Sequence, residues 1–477
     1  VIRAMHALIL CLVVVLAAPP GRAQDLPDLG DPAAALLSTD QEYRLGRSWL
    51  RSLRGKTPIM TDPLVQDYVE NLVYRLASFS DLHEPNLSIV VINSRAINAF
   101  AVPGGVIGLN AGLFLNAGSM DEVASVVAHE IAHVSQRHFT RRYVDSQRTN
   151  IAMLAAMLAS IAVAVAGDAQ AGMAGMAATQ AGVIQSQLAY SRHHEREADR
   201  VGMQTLVSAG LDPNAMPRFF ERLVEQQQFA GDPPEFLLTH PVTESRVADS
   251  RARARNLPHP KQETSLPFEL VRARIQASFF DDYQRAEAYF QKRLNNGDAK
   301  QREAARYGLA MSALYDKKYD LARRQLEQLR QQDRTELWYP LGLAEVALAE
   351  GDYPRAIEMA QWVQKINPEG YPSSVLLARA YLYSKQPEKA VPVLEPLLRQ
   401  RPDDPMLWSM AADAWGNSGE LARAHRGRAE YAFLRGRDRE AKQQMQFALK
   451  EASGQFALRS ALNARLKEME RLSEEEF

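Results

Sequence analysis

Four alanines, Ala322, Ala356, Ala390 and Ala424, stand 34 residues apart, and that interval fixes what the C-terminal part of the chain can fold into. Tyr319, Tyr353, Pro387 and Leu421 each precede one of them by three residues. Pro368 and Pro402 recur at the same interval, as do Gly308 and Gly342. A unit of this length is a helical hairpin that cannot bury its apolar faces alone and does so by stacking on its neighbours, with small residues where the helices cross. The pattern predicts an all-α solenoid over residues 266–477, and solenoids of this kind offer a concave surface to a protein partner.

The rest of the chain is different. With 477 residues in all, two or three domains are expected at about 150 residues each. Residues 24–265 alternate helical and strand-like patterns and read as a second, α+β domain. Balanced charge, 56 Lys+Arg against 57 Asp+Glu, excludes a protein that grips nucleic acid through bulk positive charge. A single Cys excludes both a disulfide scaffold and a metal site built from several thiolates, so any metal here rests on His and carboxylate. That cysteine, Cys11, lies in an apolar run from Ala7 to Ala18, flanked by Arg3 and His6 before and Pro19-Pro20-Gly21 after. The layout is that of a secretory signal over residues 1–23, and the mature chain is expected in an oxidising compartment such as a bacterial periplasm.

Chemistry concentrates at His129-Glu130-Ile131-Ala132-His133. Ser119 and Glu122 form a capping pattern that starts a helix, and Val123, Val126, Val127, Ile131 and Val134 give it an apolar stripe. On that helix His129 and His133 lie one turn apart on one face and can reach a single Zn²⁺, with Glu130 turned aside towards a metal-bound water as general base. A third ligand is needed, and no histidine stands six residues beyond His133, where Phe139 is found. In the later helical run from Tyr190, Glu195 and Asp199 share a face. Glu195 is the favoured third ligand over Glu197, His193 and His194, and Asp199 is then placed to accept the free N–H of a ligating histidine.

HEIAH, then Glu195-x-x-Ala198-Asp199, then Thr239-His240-Pro241 with Arg246, resembles the gluzincin metallopeptidases related to CAAX prenyl protease and HtpX. Asn98-Ala99-Phe100-Ala101-Val102-Pro103-Gly104-Gly105 is similar to that family's strand before the zinc helix, and the 34-residue hairpins resemble tetratricopeptide (TPR) repeats. The resemblance implies an α+β, mainly helical zincin-like domain followed by the TPR solenoid. It implies a zinc endopeptidase with one Zn²⁺ per subunit held by His129, His133 and Glu195, and it suggests His240 in the open metal position at rest. For the exported, TPR-bearing branch it also implies chaperone-like quality control of misfolded or stalled outer-membrane β-barrel proteins in a Gram-negative periplasm. Partners would then be those proteins and the β-barrel assembly machinery, reached through the TPR block, and not nucleic acid. Arg246 is the candidate donor to the oxyanion. Substrate is expected extended along Ile97, Asn98, Ala99, Phe100 and Ala101 as an added strand. The Ala-, Met- and Gly-rich stretch 151–184 reads as a lid or gate, with weak membrane contact as the lesser reading. A rival function, a TPR chaperone or adaptor with a structural or idle zinc site, is disfavoured by the intact Glu130.

Overall fold

The computed structural model describes residues 38–82, 86–145, 192–230, 234–261 and 263–474. Residues 1–23 and 151–184, read above as export signal and lid, lie outside the described residues. No helix among the described residues is long and apolar enough to cross a membrane.

Two helices open the N-terminal part. In α1 (Thr39–Lys56), Ser38 and Gln41 close a reciprocal capping box. At the start of α2 (Pro63–Ala77), the Asp62 carboxylate accepts from the Leu64 and Val65 N–H groups while Pro63 occupies a position that needs no donor. A small sheet follows: β1 (Ser88–Ile92), β2 (Ala99–Val102) and β3 (Val106–Asn110), ordered β1-β3-β2, with β1 parallel and β2 antiparallel to β3. Strand β2 is therefore an edge. Gly104 turns β2 into β3 at φ 76°, and a side chain there would collide with the backbone of Glu42 and Tyr43.

Alternation along the strands divides the sheet between two layers. Val90, Ile92, Phe100, Val102 and Val106 pack on Leu45, Trp49, Leu50 and Leu53 of α1. Ile89, Val91, Ala99, Ile107 and Leu109 belong to a larger core on the other side, with Val69 and Val73 of α2. That core takes in α4 (Met120–Ser135), which follows the short α3 (Ala111–Asn116). Around α4 lie α5 (His138–Asp145), α6 (Arg192–Ser208), α7 (Ala215–Ala230), α8 (Glu235–Thr239) and α9 (Glu244–Ala254). The expected helix start at Ser119 is present, since its hydroxyl accepts from the Glu122 N–H. Glu122 does not complete the box; its carboxylate takes the Gly118 N–H at 2.7 Å and pairs with Arg222.

From α10 (Leu266–Ser278) to Glu474 the described chain is helix upon helix. The helices Tyr319–Gln332, Tyr353–Ile366, Pro387–Gln400 and Leu421–Phe433 each begin three residues before a repeat alanine, and all four alanines are buried. Gly308 sits where a Cβ would strike the Phe290 ring, which explains the small residue there. A mainly helical α+β part followed by an all-α repeat array is the architecture the sequence pattern predicts.

The two parts are joined by buried ions. Arg274 of α10 reaches Asp62 at 2.6 Å, the Tyr307 hydroxyl at 2.8 Å and Glu345 at 2.6 Å, tying the α2 cap to the first repeats. Further along, Arg51 of α1 donates to the Phe433 carbonyl at 2.8 Å and pairs with Asp438. Removing one member of a buried network leaves the others desolvated and unpaired. Arg274→Ala is therefore expected to cost about 3–5 kcal/mol in urea denaturation.

Candidate metal and catalytic site

The site is assembled from α4, α6 and the segment through α8 and α9. Close approach of α6 to α4 comes first: a Cβ on Gly202 would lie 3.0 Å from the His129 nitrogen and 3.1 Å from the Ala128 oxygen. Ala132, Ala198 and Val201 fill the rest of that contact. With the helices so close, the α4 histidines meet the α6 carboxylates.

His129, His133, Glu195 and His240 are buried together, with one ligand atom from each within 4.8 Å of all the others. His133 Nε2 is 3.0 Å from His129 Nε2, and His240 Nδ1 is 3.4 Å from His129 Nε2 and 3.1 Å from Glu195 Oε1. Glu195 oxygens lie 3.5 and 3.6 Å from the Nε2 atoms of His129 and His133. Four atoms arranged about 2 Å from a common centre as a tetrahedron stand about 3.3 Å apart. Three imidazoles and a carboxylate at these separations fit a divalent metal ion. Glu130 is fully buried beside the group, its Oε1 3.4 Å from His240 Nε2.

Asp199 stands one turn from Glu195, with Oδ1 3.0 Å from His129 Nδ1. The structure gives Arg246 a different place from the one expected of an oxyanion donor. Its guanidinium is buried and bidentate on Asp199 at 2.8 and 2.7 Å. Its Nη1 lies 2.8 Å from the Pro241 carbonyl and 2.7 Å from Glu195 Oε2. Donors already committed to two carboxylates and a carbonyl hold the ligand set from behind.

Electrostatics follow from burial and partners. Burial pushes the Glu130 carboxyl above its ordinary range, against the pull of His240 and His129. Burial also acts on Glu195, but His240, His129 and Arg246 together hold it well below the usual carboxylate range. Burial first, then the neighbouring His129, keeps His133 neutral. In the metal-free protein, burial is outweighed at His129 by its bonds to Asp199 and Glu195, which raise it to about 9.

The residues leading into strand β2 and its first part, Ile97 to Ala101, are buried. The Phe236 N–H donates to the Ile97 carbonyl at 3.1 Å, and the Asn98 amide reaches Glu235 at 3.4 Å. The Phe236 ring in turn stacks on His240, centroids 4.8 Å apart. Of the rival ligands, His193 is exposed and lies 4.0 Å from Glu197, while His194 is buried and stacked on His138. Glu197 bonds His138 at 3.2 Å and Arg141 at 3.0 Å instead of joining the ligands. His138 and Phe236 are parts of the site that sequence reasoning missed; neither carries a spacing that marks it.

His138 is pushed down by burial to about 4. A histidine whose folded pKa lies below its unfolded one contributes a penalty that grows as pH falls. His133 acts in the same direction, whereas His129 and Glu130, both raised, oppose it, their stabilising share growing as pH falls through the same window. The His138 share is read by difference: in the chelated protein, His138→Phe is expected to raise the urea midpoint more at about pH 5 than at about pH 7.

Comparison with known proteins follows this geometry. The model of Peptidase family M48 matches residues 63–254, and a tetratricopeptide-repeat model matches residues 347–414. The beta-barrel assembly-enhancing protease of Escherichia coli K12 is 35% identical over 415 residues, covering 87% of this chain and 85% of that protein. The protein of the same name from Yersinia pestis is 35% identical over 417 residues, with 87% and 85% covered. A mitochondrial metalloendopeptidase OMA1 from Schizosaccharomyces pombe is 28% identical over 180 residues, 38% of this chain and 50% of its own.

Proposed function

The chain belongs to Peptidase family M48 and is a metalloendopeptidase, and on that premise we propose that it is a zinc-dependent, exported enzyme that cleaves misfolded outer-membrane β-barrel proteins and assists their assembly. The observation that carries the chemistry is the buried His129, His133, Glu195 and His240 group with Glu130 against it. The client class rests on the name borne by the relatives from Escherichia coli and Yersinia pestis, beta-barrel assembly-enhancing protease.

In this reading His129, His133 and Glu195 hold zinc, and His240 fills the fourth position at rest. Zinc, when bound, acidifies a water and polarises the scissile carbonyl. Glu130 takes the proton of the attacking water and returns it to the leaving amine, a task suited to a carboxylate raised towards neutrality. Asp199 fixes the His129 ring through Nδ1, and Arg246 fixes both Asp199 and Glu195. Client chain lies extended against Ile97, Asn98, Ala99, Phe100 and Ala101 once Phe236 has withdrawn.

Residues 1–23 are removed on export to the periplasm, residues 24–265 form the protease, and residues 266–477 dock it to the assembly machinery. Residues 151–184 serve as lid, with weak membrane contact secondary, and nucleic acid is no partner. A second reading, a chaperone or adaptor with a structural metal, draws on one observation: four protein ligand atoms close the site, as in structural zinc centres.

Glu130→Gln separates the two. It is expected to retain zinc, measured by elemental analysis, while cleavage of an unfolded β-rich protein falls by about 10²–10⁴-fold. Unchanged cleavage in that variant removes Glu130 from the mechanism. His240→Ala is expected to raise basal cleavage in a fluorogenic assay; a closed structural site predicts no cleavage from either protein.

A further inference from the structure

His133 is held on both sides of its ring. Its Nε2 belongs to the ligand group, and its Nδ1 lies 3.0 Å from His138 Nδ1. His138 Nε2 then lies 3.2 Å from Glu197 Oε2, which also accepts from Arg141 Nη1 at 3.0 Å. The His138 ring is wholly buried and stacked on His194, centroids 4.6 Å apart and planes 20° apart.

These bonds have one consistent polarity. For His133 Nε2 to offer a lone pair to a metal, its proton must sit on Nδ1 and point at His138. His138 Nδ1 then accepts, so its own proton sits on Nε2 and is donated to the Glu197 carboxylate. A carboxylate thus stands behind both α4 histidines, directly behind His129 through Asp199 and through one imidazole behind His133.

The local backbone is built to bring His138 there. Arg137 adopts φ 49°, a left-handed conformation that costs a non-glycine residue energy. This single residue turns α4 into α5 and returns His138 towards the helix it has just left. Glu42 of α1 holds the turn, accepting from Arg137 Nη2 at 2.8 Å and from the Thr140 hydroxyl.

We propose that His138 and Glu197 are positioning residues that fix the tautomer and ring orientation of His133 towards the metal, a relay parallel to Asp199 on His129. The inference rests on the metal site proposed above and assigns function to two residues that neither bind the metal nor meet substrate.

The test measures metal affinity on the full chain, with Zn²⁺ titrated against a chromophoric chelator. His138→Phe keeps a ring against His194 and removes both nitrogens. It is expected to weaken Zn²⁺ binding by about 10- to 100-fold, with the circular dichroism of the metal-free protein unchanged. Glu197→Gln, which preserves an acceptor but not its charge, should weaken binding by a smaller factor. Visible spectra of the Co²⁺-loaded proteins should shift in both variants, a change that packing defects distant from the ligands do not produce. A folded His138→Phe protein with parental Zn²⁺ affinity and Co²⁺ spectrum overturns the relay. If His138→Phe does not fold, Glu197→Gln decides alone: weakened affinity with a shifted spectrum upholds the relay, and parental values overturn it. Failure of the parent protein to bind Zn²⁺ or Co²⁺ is a different result, which overturns the metal site and the relay with it.

Discussion

The clamp of Arg246 on Asp199 and Glu195 is the interaction on which the site depends. Two carboxylates one turn apart on α6 are taken out of water, beside the fully buried Glu130. Like charges at such spacing in a low-dielectric interior repel, and each desolvated ion carries a penalty of several kcal/mol. The guanidinium offsets both effects. Its planar fork matches Asp199 in two bonds, and its remaining donors reach Glu195 and the Pro241 carbonyl. Because Asp199 in turn meets His129 Nδ1, the same cation fixes a carboxylate ligand and a histidine ligand. The Pro241 contact extends this to the neighbour of His240, so one side chain ties three of the four candidate ligands to a common frame.

Backbone proximity makes the clamp possible. Helix α4 is held on one side by the sheet and on the other by α6, and the α4–α6 contact is made of Gly202, Ala128, Ala132 and Ala198. The alanines inside His129-Glu130-Ile131-Ala132-His133 and Glu195-Arg196-Glu197-Ala198-Asp199 are therefore part of the chemistry. A larger side chain at either would push apart the helices that carry the ligands. Motif and packing are the same fact here: the residues between the ligands set the distance across which the ligands meet.

What could be read from the sequence was what repeats or obeys helical spacing. The 34-residue interval marks the starts of four helices because stacking imposes the same small residue at each crossing. Likewise, the spacing of His129 and His133 and of Glu195 and Asp199 places them on shared faces by helix geometry alone. Contacts set by loops were illegible. Arg246 was read as facing substrate because its partners lie 47 residues away on another helix. His138 carries no such mark: its return to His133 depends on one left-handed residue, Arg137, and no spacing rule anticipates that. The ionic seam at Arg274 joins residues separated by 212 positions on one side and 71 on the other, beyond the reach of periodicity.

Closure of the site follows from a segment that serves two ends at once. Helix α8 has five residues. Near its start, the Phe236 N–H occupies the Ile97 carbonyl beside the edge strand; at its end, His240 joins the ligand group. Between these points the His240 N–H bonds the Phe236 carbonyl at 2.8 Å, and the Phe236 ring stacks on the His240 ring. A chain that pairs with Ile97 must take the hydrogen bond that Phe236 now makes, and Phe236 cannot leave without carrying its stacked partner. On the proposed reading, occupation of the strand edge and release of the fourth ligand are coupled through Phe236. In that reading His240 leaves with loss of the Arg246 bond to the Pro241 carbonyl, while the bonds of Arg246 to Asp199 and Glu195 keep His129 and Glu195 oriented beside Glu130.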